Sequence, residues 1–181
     1  MITIGFIELN SIAKGVEAAD AILKAAETEL VFARPCCPGK YHVLFTGEVA
    51  AVRAALDAAE AIAGENLVDS TVIPRVHPQV TAAIAEATEP ESPGAIGVLE
   101  FFSITAAIYG ADAAAKSAAV QLIDVRLGTG IGGKSFVALT GEVAAVSEAV
   151  NCGAAEAAEQ GLLIAKVVIP NPRPEIFESL L

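Results

Sequence analysis

The feature that most constrains this chain is that it is written twice. Ile4-Gly5-Phe6-Ile7-Glu8-Leu9 returns as Ile96-Gly97-Val98-Leu99-Glu100-Phe101, and Ser11-Ile12 returns as Ser103-Ile104 at the same offset of 92. Ala19-Asp20-Ala21, Lys24 and Arg34 follow as Ala111-Asp112-Ala113, Lys116 and Arg126. Beyond the segment around residue 37 the offset becomes 94, and Thr46-Gly47-Glu48-Val49-Ala50-Ala51-Val52 matches Thr140 to Val146 without a mismatch. It then becomes 96, where Val72-Ile73-Pro74 pairs with Val168-Ile169-Pro170. A period this long exceeds any solenoid repeat, so each copy is a whole domain. The polar stretch Glu86 to Pro93, with Pro90 and Pro93, reads as the linker. The expected domains are 1–90 and 91–181.

Each copy predicts the same order of elements. In the first, strands are expected over 2–9, 29–35, 40–46 and 67–75, and helices over 11–27 and 48–64. Ser11 is the N-cap of the first helix, and Ile12, Val16, Ala19, Leu23 and Ala26 are its expected core face. Val49, Val52, Leu56, Ala59 and Ala63 play that part in the second helix, and a short helix follows Pro78. In the second copy the strands are 95–101, 121–127, 134–140 and 162–169, and the helices are 103–119 and 142–160. The order β-α-β-β-α-β is the ferredoxin-like arrangement, so the fold class is α/β (α+β). Hydrophobic residues make up 54% of the chain, but aromatics only 5%, so packing relies on small side chains that let helices approach closely.

The net charge of −11 argues against nucleic acid and anionic membrane surfaces as partners. Three cysteines with no framework spacing point to a reducing compartment. The N-terminus enters a strand without a basic lead, unlike a signal peptide. No apolar run is long enough and free enough of charge to span a bilayer. A cytoplasmic chain is expected.

Chemistry concentrates in Arg34-Pro35-Cys36-Cys37-Pro38-Gly39-Lys40, a turn between two strands, stiffened by Pro on either side and tightened by Gly39. Adjacent cysteines reach disulfide geometry poorly. They suit a soft metal or a cluster as thiolates, or else they are small thiols packed in a hairpin turn. Gly128-Thr129-Gly130-Ile131-Gly132-Gly133-Lys134-Ser135, the duplicate turn, matches the phosphate-loop pattern letter for letter. That pattern needs a helix after it, and here a strand is expected, so nucleotide binding is disfavoured. Cys152 reads as a packed helix residue, and His42 and His77 fit no catalytic triad. Glu8 and Glu100 end matched strands, which suits a fold or interface role better than acid–base catalysis.

These motifs resemble the shell-forming domain of bacterial microcompartments, present here twice. The resemblance rests on Ile4 to Glu8, Ala19 to Ala26, Gly47 to Val52 and Val72-Ile73-Pro74-Arg75-Val76-His77-Pro78, with their second-copy counterparts ending Val168-Ile169-Pro170-Asn171-Pro172-Arg173-Pro174. It covers essentially the whole chain, with the elements in unpermuted order. The resemblance implies a non-enzymatic shell tile: three chains giving six domains in a flat pseudohexameric homotrimer, set among other shell proteins of a cytoplasmic microcompartment. It places Cys36, Cys37, Pro38, Gly39, Gly130, Ile131 and Gly132 at a pore on the symmetry axis, and Lys24 and Lys116 at the edge where discs meet. The pattern is similar in particular to that of the tandem-domain shell proteins of propanediol-utilisation compartments. In them a cysteine in this turn, within Cys-Pro-Gly-Lys, holds an iron–sulfur cluster. The matching residue is Cys37, so one 4Fe-4S cluster per trimer is implied, for electron transfer across the shell or to lumenal redox enzymes. Cys36 departs from that pattern by adding a second sulfur. Two rival readings stand beside this one: a metal-free metabolite pore, and a nucleotide-binding regulator or enzyme on a ferredoxin-like fold.

Overall fold

A computed structural model describes residues 2–180; Met1 and Leu181, the outer ends of the two expected domains, lie outside the described residues. The elements are β1 (Ile2–Leu9), α1 (Ile12–Ala25), β2 (Thr28–Cys36), β3 (Lys40–Gly47), α2 (Val49–Ala63), β4 (Leu67–Val76) and α3 (Pro78–Ala85). They continue as β5 (Ala95–Phe101), α4 (Ile104–Ser117), β6 (Val120–Leu127), β7 (Ser135–Gly141), α5 (Val143–Glu159), β8 (Leu163–Ile169) and α6 (Pro174–Glu178). Two antiparallel sheets result, with orders β2-β3-β1-β4 and β6-β7-β5-β8, which is the β-α-β-β-α-β fold in each. The chain divides into compact units Met1–Val76 and His77–Leu181. The short helix after Pro78, read from the sequence as the tail of the first copy, therefore packs with the second unit.

Local chemistry sets the element ends in parallel. Ser11 caps α1 by accepting from the Lys14 amide at 3.3 Å, and Ser103 caps α4 by accepting from the Ala106 amide at 3.2 Å. Both helix-bearing turns then lead into edge strands with the same irregularity. In the first sheet Leu30 faces Phe45 and the next paired residue is Phe32, facing Leu44; in the second Leu122 faces Leu139 and Asp124 faces Ala138. Pro74 is tolerated because β4 is an edge strand.

The first core gathers Ile7, Leu9, Tyr41, Val43 and Phe45 from the sheet under Ala18, Ile22, Val52 and Leu56 from the helices. Each large side chain fully buried there contributes roughly 1.5–3 kcal/mol. The face of α1 differs from the expected one. Gly15, Ala18, Ala19 and Ile22 are turned inward, while Ile12, Val16 and Leu23 remain 47%, 53% and 48% exposed. The cause is the close approach of α1 to the sheet: a Cβ on Gly15 would run into the Tyr41 ring. Small residues therefore take the inner face and the larger apolar ones are left outside.

In the second unit α4 and α5 also cross closely. A Cβ on Gly110 would lie 2.8 Å from the Gly153 carbonyl oxygen, and one on Gly153 would lie 2.7 Å from that of Gly110. The first copy carries Ala18 and Ala59 at these positions, so the close carbonyl contacts at Gly110 and Gly153 are particular to the second copy's glycines.

Candidate functional site

The cysteine turn is the hairpin between β2 and β3. Cys36 is the last residue of β2 and faces Lys40 across the ladder, and the Gly39 amide donates to the Cys36 carbonyl at 2.9 Å. Gly39 has φ +94°, a left-handed conformation that glycine adopts without strain, and the Cys37–Pro38 bond is cis. The two adjacent thiols lie in different environments. Cys36 is buried, with 8% of its surface exposed; Cys37, at the apex, is half-buried and also a free thiol.

Cys36 is held in a polar array beneath the turn. Its Sγ lies 2.7 Å from His42 Nε2, which lies 3.2 Å from Glu8 Oε1, and the same Glu8 oxygen takes an ion pair from Lys40 Nζ at 2.8 Å. His42 is wholly buried, with Phe6 edge-on to its ring at 5.5 Å. A carboxylate can only accept, so His42 holds a proton on Nε2 towards Glu8. Burial pushes the Cys36 thiol up to about 12, and the neighbouring Glu8 charge adds to the effect. Burial alone would also raise the Glu8 carboxyl. Hydrogen bonds from His42 and Lys40, with their charges, outweigh that and hold it below its ordinary value. Cys36 is thus a protonated thiol locked by its neighbours, and Cys37 is the more accessible sulfur of the turn.

The second unit repeats the base of the turn and not its sulfur. Lys134 Nζ pairs with Glu100 Oε1 at 3.0 Å, the counterpart of Lys40 with Glu8. Phe136 stands where the first copy has His42, and Gly128 where it has Cys36. The loop is closed by the Gly128 amide donating to the Lys134 carbonyl at 3.0 Å. Gly130 and Gly132 have φ +76° and +68°, with open space where a Cβ would be. Conformation, and not crowding within the chain, calls for glycine there. Ile131 lies between them, half-buried. The loop runs directly into β7, and the next helix, α5, begins only at Val143. No helix N-terminus follows the phosphate-loop pattern.

Lys24 and Lys116 end their helices and each pairs with an aspartate one turn earlier, Asp20 and Asp112, both at 2.5 Å. Lys24 is largely exposed, whereas Asp112 is nearly buried. Cys152 sits on α5 with its thiol 3.2 Å from Glu148 Oε1. Among the described residues no three His, Cys, Asp or Glu side chains form a group that could hold a metal ion within one chain. None of their helices is long and apolar enough to cross a membrane.

Sequence reasoning left Glu8 and His42 outside the site. The duplicated Glu–Lys pairing was visible in the repeat, because Glu8 and Lys40 recur together as Glu100 and Lys134. The Cys36–His42 contact had no such signal, since neither residue recurs.

Two copies of a four-stranded, helix-covered domain, each with a polar-based hairpin turn between its second and third strands, define a tandem-domain protein of shell type. The BMC domain family matches residues 3–76 and again 95–172, and the chain belongs to that family of bacterial microcompartment shell proteins. It is 40% identical over 177 residues to the bacterial microcompartment shell protein PduT of Citrobacter freundii, covering 98% of this chain and 96% of the relative. The carboxysome assembly protein CcmO of Synechococcus elongatus is 32% identical over 190 residues, covering 98% of this chain and 68% of the relative. Among solved structures, a microcompartment protein from Desulfitobacterium hafniense superposes with a TM-score of 0.94 at 49% identity, over 98% of this chain and 99% of that one.

Proposed function

We propose that this shell protein assembles as a homotrimer whose six domains surround a central pore, and that three Cys37 thiolates at the pore hold one 4Fe-4S cluster. The observation that carries the reading is the division of labour between the two sulfurs. Cys36 is buried, protonated and engaged by His42, while Cys37 stands at the turn apex, free and accessible. One chain offers one such thiolate. A threefold axis converts it into three, enough for three irons of a cluster, with the fourth left for another ligand or solvent. The similarity to the microcompartment shell protein PduT over nearly the full length of both chains supports a place for this chain in a microcompartment shell.

In this reading Pro38 and Gly39 shape the first turn at the pore, and Gly130, Ile131 and Gly132 form the second. Lys24 and Lys116 serve contacts with neighbouring tiles. The cluster, when bound, supplies one-electron chemistry across the shell, with lumenal redox enzymes as partners. The protein's own residues do the positioning: Glu8 and Lys40 fasten the base of the hairpin, and His42 keeps Cys36 out of competition for iron.

The test is the visible absorption spectrum of anaerobically purified protein, with iron and sulfide assays, beside Cys37→Ser. A broad band near roughly 400 nm, with about four irons per three chains and loss in the variant, is the expected result. A colourless trimer that stays iron-free after anaerobic reconstitution would instead leave a pore for small molecules.

A further inference from the structure

We infer that the main-chain amides of the loop between β6 and β7, Thr129 to Gly133, form a seat for a small oxyanion of the phosphate type. The inference concerns the second unit alone. It goes beyond the cluster reading and does not depend on it.

The loop holds more glycine than its closure requires. It is two residues longer than the cysteine turn, since the offset between the copies rises from 92 to 94 across it. Two backbone bonds close it. The Gly128 amide donates to the Lys134 carbonyl at 3.0 Å, and the Lys134 amide donates to the Ile131 carbonyl at 3.3 Å. The second bond spans Gly132 and Gly133, whose φ values of +68° and +81° carry the signs of a type I′ turn. That turn alone reverses the chain. Gly128 and Gly130, at +69° and +76°, are additional to it. Neither Gly130 nor Gly132 has a neighbour that a Cβ would meet. Glycine loses more conformational freedom on folding than any other residue, so a loop this rich in it has a further use for its backbone.

The signs of φ show what that use is. Arg75 is the one non-glycine residue with positive φ among the described residues, so Thr129 and Ile131 are negative. Thr129, Gly130, Ile131 and Gly132 therefore alternate in sign. Such alternation turns successive N–H groups towards one side, the concavity by which a backbone binds anions. The amides of Thr129, Gly130, Ile131, Gly132 and Gly133 have no acceptor among the described residues. The Thr129 hydroxyl is turned back on the Leu127 carbonyl at 3.3 Å. Thr129, Gly130 and Gly132 are exposed, so a dissolved ion reaches them. At the base of the loop the Lys134 ammonium is exposed but shared with Glu100 at 3.0 Å. Neutral amides are thus the principal donors, which a chain of net charge −11 can offer to an anion without a basic patch. The cysteine turn has no such set: Pro38 lacks an N–H, and the Gly39 amide is spent on the Cys36 carbonyl. The match to the phosphate-loop pattern is explained in its main-chain part. With strand β7 following in place of a helix, the seat suits an ion and not a nucleotide.

The test is a titration of full-length, iron-free protein, labelled with nitrogen-15 glycine, with inorganic phosphate at constant pH and ionic strength, read by transverse-relaxation-optimised NMR. Sodium chloride is the control. The Gly130, Gly132 and Gly133 amide signals should shift and saturate, with a midpoint on the order of 1–10 mM, while Gly39 and Gly64 stay still. Two double variants test the backbone. Gly130→Ala with Gly132→Ala disfavours positive φ and should raise the midpoint by about tenfold or more. Gly130→Asn with Gly132→Asn tolerates positive φ and should bind within about threefold of the wild type. Unchanged Gly110 and Gly153 signals will show that the fold of each variant is intact. Shifts that never saturate, shifts that chloride reproduces, or an alanine pair that binds as the wild type does would each overturn the inference. Equal loss in both pairs would overturn the claim that positive φ builds the seat.

Discussion

The two adjacent cysteines should differ sharply in reactivity, and the size of the difference follows from their surroundings. Raising the Cys36 thiol from an ordinary 9.0 to about 12 lowers its thiolate fraction at pH 8 from roughly one in ten to about one in ten thousand. That is about a thousandfold before burial is counted, and only 8% of the residue is exposed. Cys37 lacks this enclosure. Iron-free protein treated with iodoacetamide at pH 8, digested and quantified by mass spectrometry should therefore carry label at Cys37 long before Cys36. The same shift has a stability consequence with a definite sign. The unfolded chain ionises Cys36 above 9.0 while the folded one does not, so folding stability falls as pH rises from 9.0 towards about 12. Cys36→Ser should remove that part of the alkaline loss. Labelling of Cys36 within about tenfold of the rate of a free thiol peptide would refute the claim that it is locked.

Two further outcomes follow from the packing. Glu8→Gln removes the carboxylate shared by His42 and Lys40 and should destabilise the first unit by about 1–3 kcal/mol in urea unfolding at pH 7. The lowered Glu8 value makes its contribution full above 4.5 and lost as pH falls through that lowered value, so the variant should show a flatter acid limb; identical limbs would contradict the array. Gly153→Ala places a methyl against the Gly110 carbonyl oxygen and should cost about 1–3 kcal/mol of overpacking, against a gain of about 1 kcal/mol in helix propensity. A lowered melting temperature is expected, and a raised one would show that the helices part freely.

Much of this architecture could be read directly from residues. The repeat defined two domains, alternation and capping serines placed the strands and helices, and the proline–glycine turn marked where the cysteines lie. The inner face of α1 was misread because Ile12, Val16 and Leu23 form a more hydrophobic stripe than Gly15, Ala18 and Ile22. The short distance to Tyr41, a tertiary fact, selects the smaller residues. The role of His42 was hidden for a related reason. A histidine in a strand becomes a partner for Cys36 only once the β2–β3 register brings the two together over Glu8. The helix after Pro78 looked like the tail of the first copy, and its packing on β6 and α4 depends on contacts that no local pattern encodes.

The proposed assembly brings three chains together at Cys37 around one cluster. Native mass spectrometry of anaerobically prepared protein tests it most directly, because mass alone reports both chain number and inorganic content. The expected species is three chains plus four irons and four sulfides, which loses that added mass, but not its trimeric state, in Cys37→Ser. A cluster carried by a single chain, or retained by the Cys37→Ser trimer, would contradict it.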